Sequence, residues 1–375
     1  MIRRIELIFV AALRLAATLS LGSLVPLTAS AGTVAAVDTV NTVAIAPAAS
    51  RAQTLMAIMP SADADHPTLL QVTLDELHPT QPAIGYDQVY YKLGRYRADD
   101  AAMASTAQPK KFGDWCEANG QNDVLAQSAS VAGATLLAPP PSFKCERDVG
   151  AKPKDMKTVV IGPQGKVYLT DGHHTFSALH DADGGNNGQL MVWVKVTDNL
   201  SALSESAFWQ RMQAMHKVWL KDGANRGIAP GALPQHVGLA SLGNDPYRAL
   251  VYFSRDVGYA VPKKGADNPE FLEFYWADWL RNKPVLNLAS YDLNQAASYT
   301  AAIKKGSLAM TALKPDEVVS GGKQAQALGS KGTLDEAKLN ELVEAKGKLS
   351  YSIAYKQWLA KQTPPRRARV AGAAD

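Results

Sequence analysis

The sequence lacks most of the features that assign a protein to a class directly. It has only two cysteines, Cys116 and Cys145, and a widely separated pair does not form a zinc-binding pattern. Lysine and arginine number 39 against 35 acidic residues, a net charge of +4, without the clustered basic stripe of nucleic-acid-wrapping proteins. There is no glycine-rich P-loop, no Ser-His-Asp signature and no HExxH motif. These absences exclude several common enzyme classes and name no partner.

The N-terminal 31 residues have the pattern of a secretory signal peptide. Arg3 and Arg4 form a positive start, an apolar stretch runs to Leu27, and small residues occupy positions 29–31. No uninterrupted apolar run reaches about 18 residues, and no cysteine lies near the predicted cut. We therefore predict cleavage after Ala31 and a periplasmic or secreted protein without stable membrane insertion. An amphipathic cytosolic N-terminus is the alternative.

The predicted export makes the number of cysteines informative about disulfide bonding. An even number of cysteines in an oxidising compartment predicts a disulfide between Cys116 and Cys145. Such a bridge would close a Ser/Ala/Pro-rich loop and contribute ~3 kcal/mol through loss of chain entropy in the unfolded state. Two buried free thiols are the alternative.

Composition and hydrophobic periodicity divide the chain into segments. We predict a signal peptide (1–31), a low-complexity linker (32–67), an α+β domain (68–200) with a cysteine-bearing insertion (98–155), a helical extension (201–285), C-terminal helices (286–362) and a disordered tail (363–375). Within the α+β domain, strands are predicted near 69–74, 157–161, 166–170 and 190–196, and helices near 85–97 and 175–180. The fold class is therefore α+β.

The helical extension carries its own patterns. An apolar stripe at helical spacing predicts a helix over 204–220. Asp245 is expected to cap a second helix, with Arg248 in its first turn pairing with Asp278 of a third helix. A contact between Arg248 and the substrate is the alternative. Trp276 and Trp279 are expected to pack in a core.

The segment that suggests chemistry lies where a strand turns into a helix. Asp171 and Gly172 precede His173 and His174, which begin a stretch of helical spacing. A glycine at this point permits positive φ, and the first turn of a helix presents unpaired N–H groups that suit a phosphate or carboxylate. Adjacent histidines and an aspartate can add acid–base chemistry or metal ligation. The alternative is purely structural, with Asp171 capping the helix.

This turn resembles the signature of the ParB/sulfiredoxin superfamily, in which a Gly-x-x-Arg-type turn holds a nucleotide phosphate. More narrowly, the chain resembles the exported or standalone ParB-like nuclease family over about residues 69–285. The supporting stretches are 80–85 with Val89 and Lys92, then 159–179, 208–209, 233–234, 245–250 and 276–278. The resemblance implies a ParB/sulfiredoxin-like core followed by a mainly helical extension.

The resemblance also implies the roles of particular residues. The catalytic candidates are His173, His174 and Asp171, and the phosphate-binding candidates are Gly172, Thr175, Lys92 and Gln81. Asp171 and His173 are the candidate ligands of a divalent Mg²⁺ or Mn²⁺ ion. Thr175 stands where the superfamily has arginine, so a phosphate would depend on backbone N–H groups and the histidines.

Three functions follow from the resemblance. The first is a nuclease or phosphodiesterase, which needs only water as nucleophile outside the cytoplasm. The second is a non-catalytic module that binds an anion or nucleotide and uses its helical extension to bind a partner. The third is a small-molecule kinase, which Gln81 disfavours because related kinases have an acidic base there and the nearest carboxylate here is Glu76. The expected ligand is a phosphate-containing small molecule or a nucleic acid.

Overall fold

The fold is taken from a computed structural model that describes residues 42–43, 48–101, 109–125, 135–137, 143–262, 271–282 and 286–362. The predicted signal peptide, the predicted tail after residue 362, and parts of the predicted linker and insertion lie outside these ranges. No helix within them is both long and apolar enough to cross a membrane.

The described strands, in chain order, are β1 (Thr42–Val43), β2 (Leu69–Thr73), β3 (Leu77–Pro79), β4 (Ala83–Ile84), β5 (Thr158–Ile161), β6 (Val167–Leu169), β7 (Met191–Asn199), β8 (Gly243–Asn244), β9 (Val318–Ser320) and β10 (Lys323–Gln324). The described α-helices are α1 (Ala48–Met56), α2 (Tyr86–Ala101), α3 (Lys110–Ala118), α4 (His173–His180), α5 (Glu205–Ala214), α6 (Pro246–Ser254), α7 (Leu272–Arg281), α8 (Ala296–Thr311), α9 (Glu336–Glu341) and α10 (Lys348–Gln362). Seven of these ten strands lie before residue 200 and six of these ten helices after it, which confirms the α+β class with a mainly helical C-terminal region.

Among the described residues, one six-stranded mixed sheet has the order β1-β2-β7-β5-β6-β3. β7 lies antiparallel to β2 and parallel to β5, where Thr158 stands opposite Lys195. β5 and β6 form the predicted antiparallel pair, and Gln164 takes positive φ in the turn between them. This pairing brings the start of β5, the end of β6 and the middle of β7 to one place, directly beside the start of α4.

Two large apolar cores support this arrangement. Phe176 of α4 is fully buried against the sheet, together with strand residues such as Val192. The second core joins α6, α7 and α8, and contains Trp276 and Trp279 as expected. The short parallel pair β4–β8 connects the segment before α2 to the segment before α6. The helical region is thereby held against the α+β core at the end where α4 begins.

Three expectations from the sequence differ from the structure. Within the predicted linker, α1 belongs to the core, because Leu55 is buried and Arg51 forms an ion pair with Glu76. The predicted insertion contains α3, whose Phe112 is also buried. α5 ends at Ala214 rather than near residue 220, since the chain reverses through positive φ shortly afterwards.

The predicted disulfide is confirmed. Cys116 on α3 and Cys145 are bonded, with Cα atoms 5.7 Å apart. The bridge ties the segment around residues 143–150 to α3, and its Cα separation lies well within the range that a disulfide spans.

Candidate functional site

The site is built around the turn that begins α4. Gly172 is the residue before the helix and has φ +104°, a region that L side chains rarely adopt. No side chain caps the helix, and Asp171 is exposed, so the interpretation of Asp171 as the cap is wrong. The first intrahelical bond runs from the N–H of Phe176 to the carbonyl of Gly172. The N–H groups of residues 173–175 therefore precede the intrahelical pattern and are available to an anion.

The two histidines hold this turn against the rest of the domain. The Nε2 atom of His173 accepts a hydrogen bond from the backbone N–H of Thr80 at 3.2 Å. The Nε2 atom of His174 accepts one from the N–H of Gly85 at 3.1 Å. A ring nitrogen that accepts from an N–H group carries no proton, so each ring is held in its neutral form. The pair connects the start of α4 to both ends of the segment that leads into α2.

Burial also keeps the rings of both histidines in the neutral form. Burial and the positive charge of Arg248 together lower the pKa of His173 to about 3, although an interaction with the backbone of Leu169 opposes the shift. The burial of His174 likewise holds its pKa well below the ordinary value, assisted by Arg248. Both side chains are therefore uncharged at neutral pH.

A cavity of about 520 Å³ opens at this turn. Gly172, His173, His174 and Asp171 line it, together with Thr175 and Gln81. The basic residues lining it outnumber the acidic ones by five to two. The basic residues are Lys154, Lys157, Lys195, Arg248 and Arg255, and the acidic ones are Asp171 and Glu273. This excess favours an anionic ligand.

Sheet pairing places the lysines. Lys157 directly precedes β5 and Lys195 lies on β7, and the N–H of Lys195 donates to the carbonyl of Lys157 at 2.8 Å. A Cβ atom built on Gly172 would lie 2.5 Å from the Cγ atom of Lys157. The lysine stem therefore passes directly over the glycine, and this contact requires a residue without a side chain at position 172. Its Nζ atom donates to the carbonyl of Asp155 at 3.0 Å.

The opposite wall comes from the helical region. Arg248 on α6 and Arg255 just after it both form ion pairs with Glu273 in the first turn of α7. The predicted pairing of Arg248 with Asp278 is therefore wrong, because Asp278 instead pairs with Lys221 at 2.6 Å.

The predicted cap of α6 is confirmed. The Asp245 carboxylate accepts a hydrogen bond from the backbone N–H of Arg248 at 3.0 Å.

The remaining phosphate-binding candidates separate into two groups. Gln81 and Thr175 line the cavity, and the Gln81 amide donates to the carbonyl of Ala83 at 2.8 Å. Lys92 points elsewhere: its Nζ atom donates to the Asp114 carboxylate at 2.7 Å, and it does not line the cavity.

Asp171 and His173 remain only predicted ligands of a divalent ion. The Nε2 atom of His173 is already engaged by the N–H of Thr80. Across the residues that the structure describes, no group of three or more His, Cys, Asp or Glu side chains could hold a metal. We therefore derive no step through a metal ion.

Comparison with protein families agrees with this geometry. A family model described as "Putative ParB-like nuclease" matches residues 70–282, which span β2 to the end of α7. The chain belongs to this family. The matched region contains both walls of the cavity, so the ParB-like unit includes α6 and α7 as well as the sheet.

The ParB-like chain is also similar to a protein of known structure. The crystal structure of protein Atu1540 from Agrobacterium tumefaciens is similar, with 22% identity, coverage of 65% of this chain and 92% of that chain, and a TM-score of 0.42. A search of curated proteins found none that matches.

Sequence reasoning missed part of the ParB-like site. Lys157, Lys195, Arg255 and Glu273 were not among the predicted site residues, although all four line the cavity. Lys157 could have been found, since it directly precedes a strand that starts beside the turn. The others come from positions far along the chain, and no local pattern links them to residue 172.

Proposed function

We propose that this protein binds a phosphate ester in the cavity at the start of α4 and hydrolyses it, as a nuclease or phosphodiesterase. The observation that carries the proposal is the uncapped helix start at Gly172, which opens into a cavity with five basic side chains. Unpaired N–H groups and the helix dipole favour a phosphate oxygen at such a position. Lys157, which crosses Gly172, would add a charge to the same oxygen.

Asp171 is the residue best placed to assist the reaction. Its carboxylate is exposed beside the turn, and it lines the cavity. In the proposed step Asp171 takes a proton from water, the water oxygen forms a bond to phosphorus, and the bond to the leaving oxygen breaks. That oxygen then takes a proton from solvent. The surrounding cations would stabilise the negative charge that accumulates on the phosphoryl oxygens.

The hydrogen bonds of His173 and His174 support a positioning role for these two residues. An acid–base catalyst must exchange a proton at an accessible nitrogen, whereas the Nε2 atoms of His173 and His174 both accept from backbone N–H groups. Catalysis by these two residues remains a prediction, and we propose that they hold the turn in shape.

Non-catalytic binding is the second candidate, favoured by the same engaged histidines. The two candidate functions predict different roles for Asp171, which acts as a general base only in a hydrolase. For a hydrolase, Asp171→Asn should lower the rate of hydrolysis of bis(p-nitrophenyl) phosphate by about a hundredfold or more, the usual contribution of a general base. The exposed Asp316, which lies outside the cavity, provides the matched control Asp316→Asn. If the wild type binds phosphate but does not hydrolyse this substrate, the result supports non-catalytic binding.

Binding itself is tested with Gly172→Val and Lys157→Gln. The valine would force Lys157 away and occupy the anion position, so the thermal stabilisation by inorganic phosphate should disappear. The glutamine variant should weaken binding about tenfold, as expected for the loss of one charge-assisted hydrogen bond. Lys314→Gln, an exposed lysine outside the cavity, should bind as the wild type does. Unchanged binding in both cavity variants would refute the proposal.

We also propose that the chain is exported. The N-terminal pattern supports this, and so does the disulfide between Cys116 and Cys145, which is typical of oxidising compartments.

A further inference from the structure

The wall of the cavity opposite Gly172 carries a cation pair that shares one carboxylate. Glu273 contacts Arg255 through its Oε1 atom and Arg248 through its Oε2 atom. Both carboxylate oxygens are thus used, one for each guanidinium. Burial raises the pKa of Glu273, but the two arginine charges outweigh this and hold that pKa below its ordinary value. The cluster therefore holds two positive charges and one negative charge.

The second positive charge has no carboxylate of its own. Among the described residues, no other carboxylate lies within ion-pair distance of Arg248 or Arg255. The Nε atoms of both arginines are buried without a hydrogen-bond partner. The Arg248 side chain is 6% exposed, whereas that of Arg255 is 33% exposed and lines the cavity. A buried excess charge is costly, and an anion bound beside it would offset the cost.

The surrounding side chains hold the two guanidinium groups in place. Arg248 lies over the ring of Phe274 at 5.3 Å, and its Nη1 atom donates to the Gln88 amide oxygen at 3.4 Å. Arg255 lies 5.4 Å from the ring of Tyr252. Such contacts order arginine side chains before a ligand arrives, which reduces the entropy cost of binding. Glu273 is thus a positioning residue for both cations.

We propose that Arg248 and Arg255 form a second anion subsite, so that the ligand carries two phosphoryl groups. This inference rests on the proposed function, in which the first phosphoryl group sits at Gly172. Both subsites line one cavity of about 520 Å³, a size typical of pockets that hold small molecules. The favoured ligand class is therefore a small phosphate ester that carries a second phosphoryl group, and not a nucleic-acid strand.

The test compares inorganic phosphate with inorganic pyrophosphate by isothermal titration calorimetry at constant ionic strength. The wild type should bind pyrophosphate at least about tenfold more tightly, equivalent to one charge-assisted hydrogen bond. Arg255→Gln should remove this preference, so that the variant binds pyrophosphate and phosphate with similar affinity. Arg255→Lys keeps the charge but loses the planar donor geometry, so it should also lose most of the preference.

Arg226 supplies the matched control. Its side chain is 79% exposed and pairs with Asp222 outside the cavity, so Arg226→Gln should bind both ligands as the wild type does. Equal affinity of the wild type for both ligands, or an Arg255→Lys variant with full preference, would overturn the second subsite while leaving the proposed function intact. Failure of the wild type to bind either ligand would refute the proposed function as well. Tighter binding of a single-stranded oligonucleotide than of pyrophosphate would overturn the small-ligand class.

Discussion

Acidification should destabilise the fold through the buried histidines. His173 has a pKa of about 3 when folded and an ordinary value of 6.5 when unfolded. Between these values the unfolded chain binds a proton that the folded chain excludes, so stability falls as the pH falls. From about pH 7.5 to about pH 5, this linkage removes about 2 kcal/mol of unfolding free energy through His173 alone. His174 acts in the same direction, because burial lowers its pKa too.

Other histidines change the total pH-dependent loss of stability, but they do not change the difference between a His173 variant and the wild type. His78 also has a lowered pKa, caused mainly by its burial, and adds to the loss. The hydrogen bond of His180 to Asp181 raises the pKa of His180, which opposes the loss, because its stabilisation is present at low pH and disappears as the pH rises. The diagnostic quantity is therefore the difference between a variant and the wild type.

Urea unfolding near pH 7.5 and near pH 5 measures this difference. His173→Gln can still accept from the N–H of Thr80 but cannot titrate, so it should show about 2 kcal/mol less pH-dependent loss than the wild type. The exposed His216 has φ 53°, which asparagine tolerates, so His216→Asn is the matched control and should keep the full loss. If His173→Gln loses as much stability on acidification as the wild type, His173 is not held neutral by burial.

Three further predictions concern the N-terminus, the disulfide and the packing of α2 on α10. N-terminal sequencing of protein from the native host should find cleavage after Ala31. Replacing Cys116 and Cys145 together with alanine should lower the unfolding free energy by about 3 kcal/mol, because the unfolded chain regains the entropy of a closed loop. Gly94→Ala should destabilise the packing of α2 on α10 by about 1–3 kcal/mol, because its Cβ atom would lie 2.3 Å from the carbonyl oxygen of Tyr351.

Each of these predictions has a clear contrary result. An intact Met1 on cytoplasmic protein would contradict export. An unchanged melting temperature under reducing conditions would mean that the disulfide contributes nothing. Gly227, which has no atom within 4 Å of its Cβ position, gives the control Gly227→Ala, and equal stability of both alanine variants would contradict the close contact of α2 with α10.

Local sequence patterns identified much of the α+β core. The apolar runs and the turn between β5 and β6 were predictable, because side-chain alternation and turn residues act over a few positions. Asp245 as a helix cap followed from its place before a proline at a helix start. The turn glycine at Gly172 was predicted for the same reason, since the demand for positive φ is set by the backbone itself.

Contacts between distant segments were beyond sequence reasoning. A composition low in aromatic residues predicts a linker where α1 forms, yet tertiary packing buries Leu55. The two histidines look like catalysts in the sequence, and only the fold reveals that backbone N–H groups of the segment before α2 occupy their Nε2 atoms.

The sequence alone determined where the helix start with positive φ lies, since a glycine before a helix start is a local feature of the backbone. Only the tertiary structure decided which charges surround that position. Lys195 lines the cavity because β7 pairs with β5, and Arg255 lines it because the β4–β8 pair holds α6 beside α2. Electrostatic interactions depend on separation in space, and the sheet order that sets this separation is fixed by packing across the whole fold.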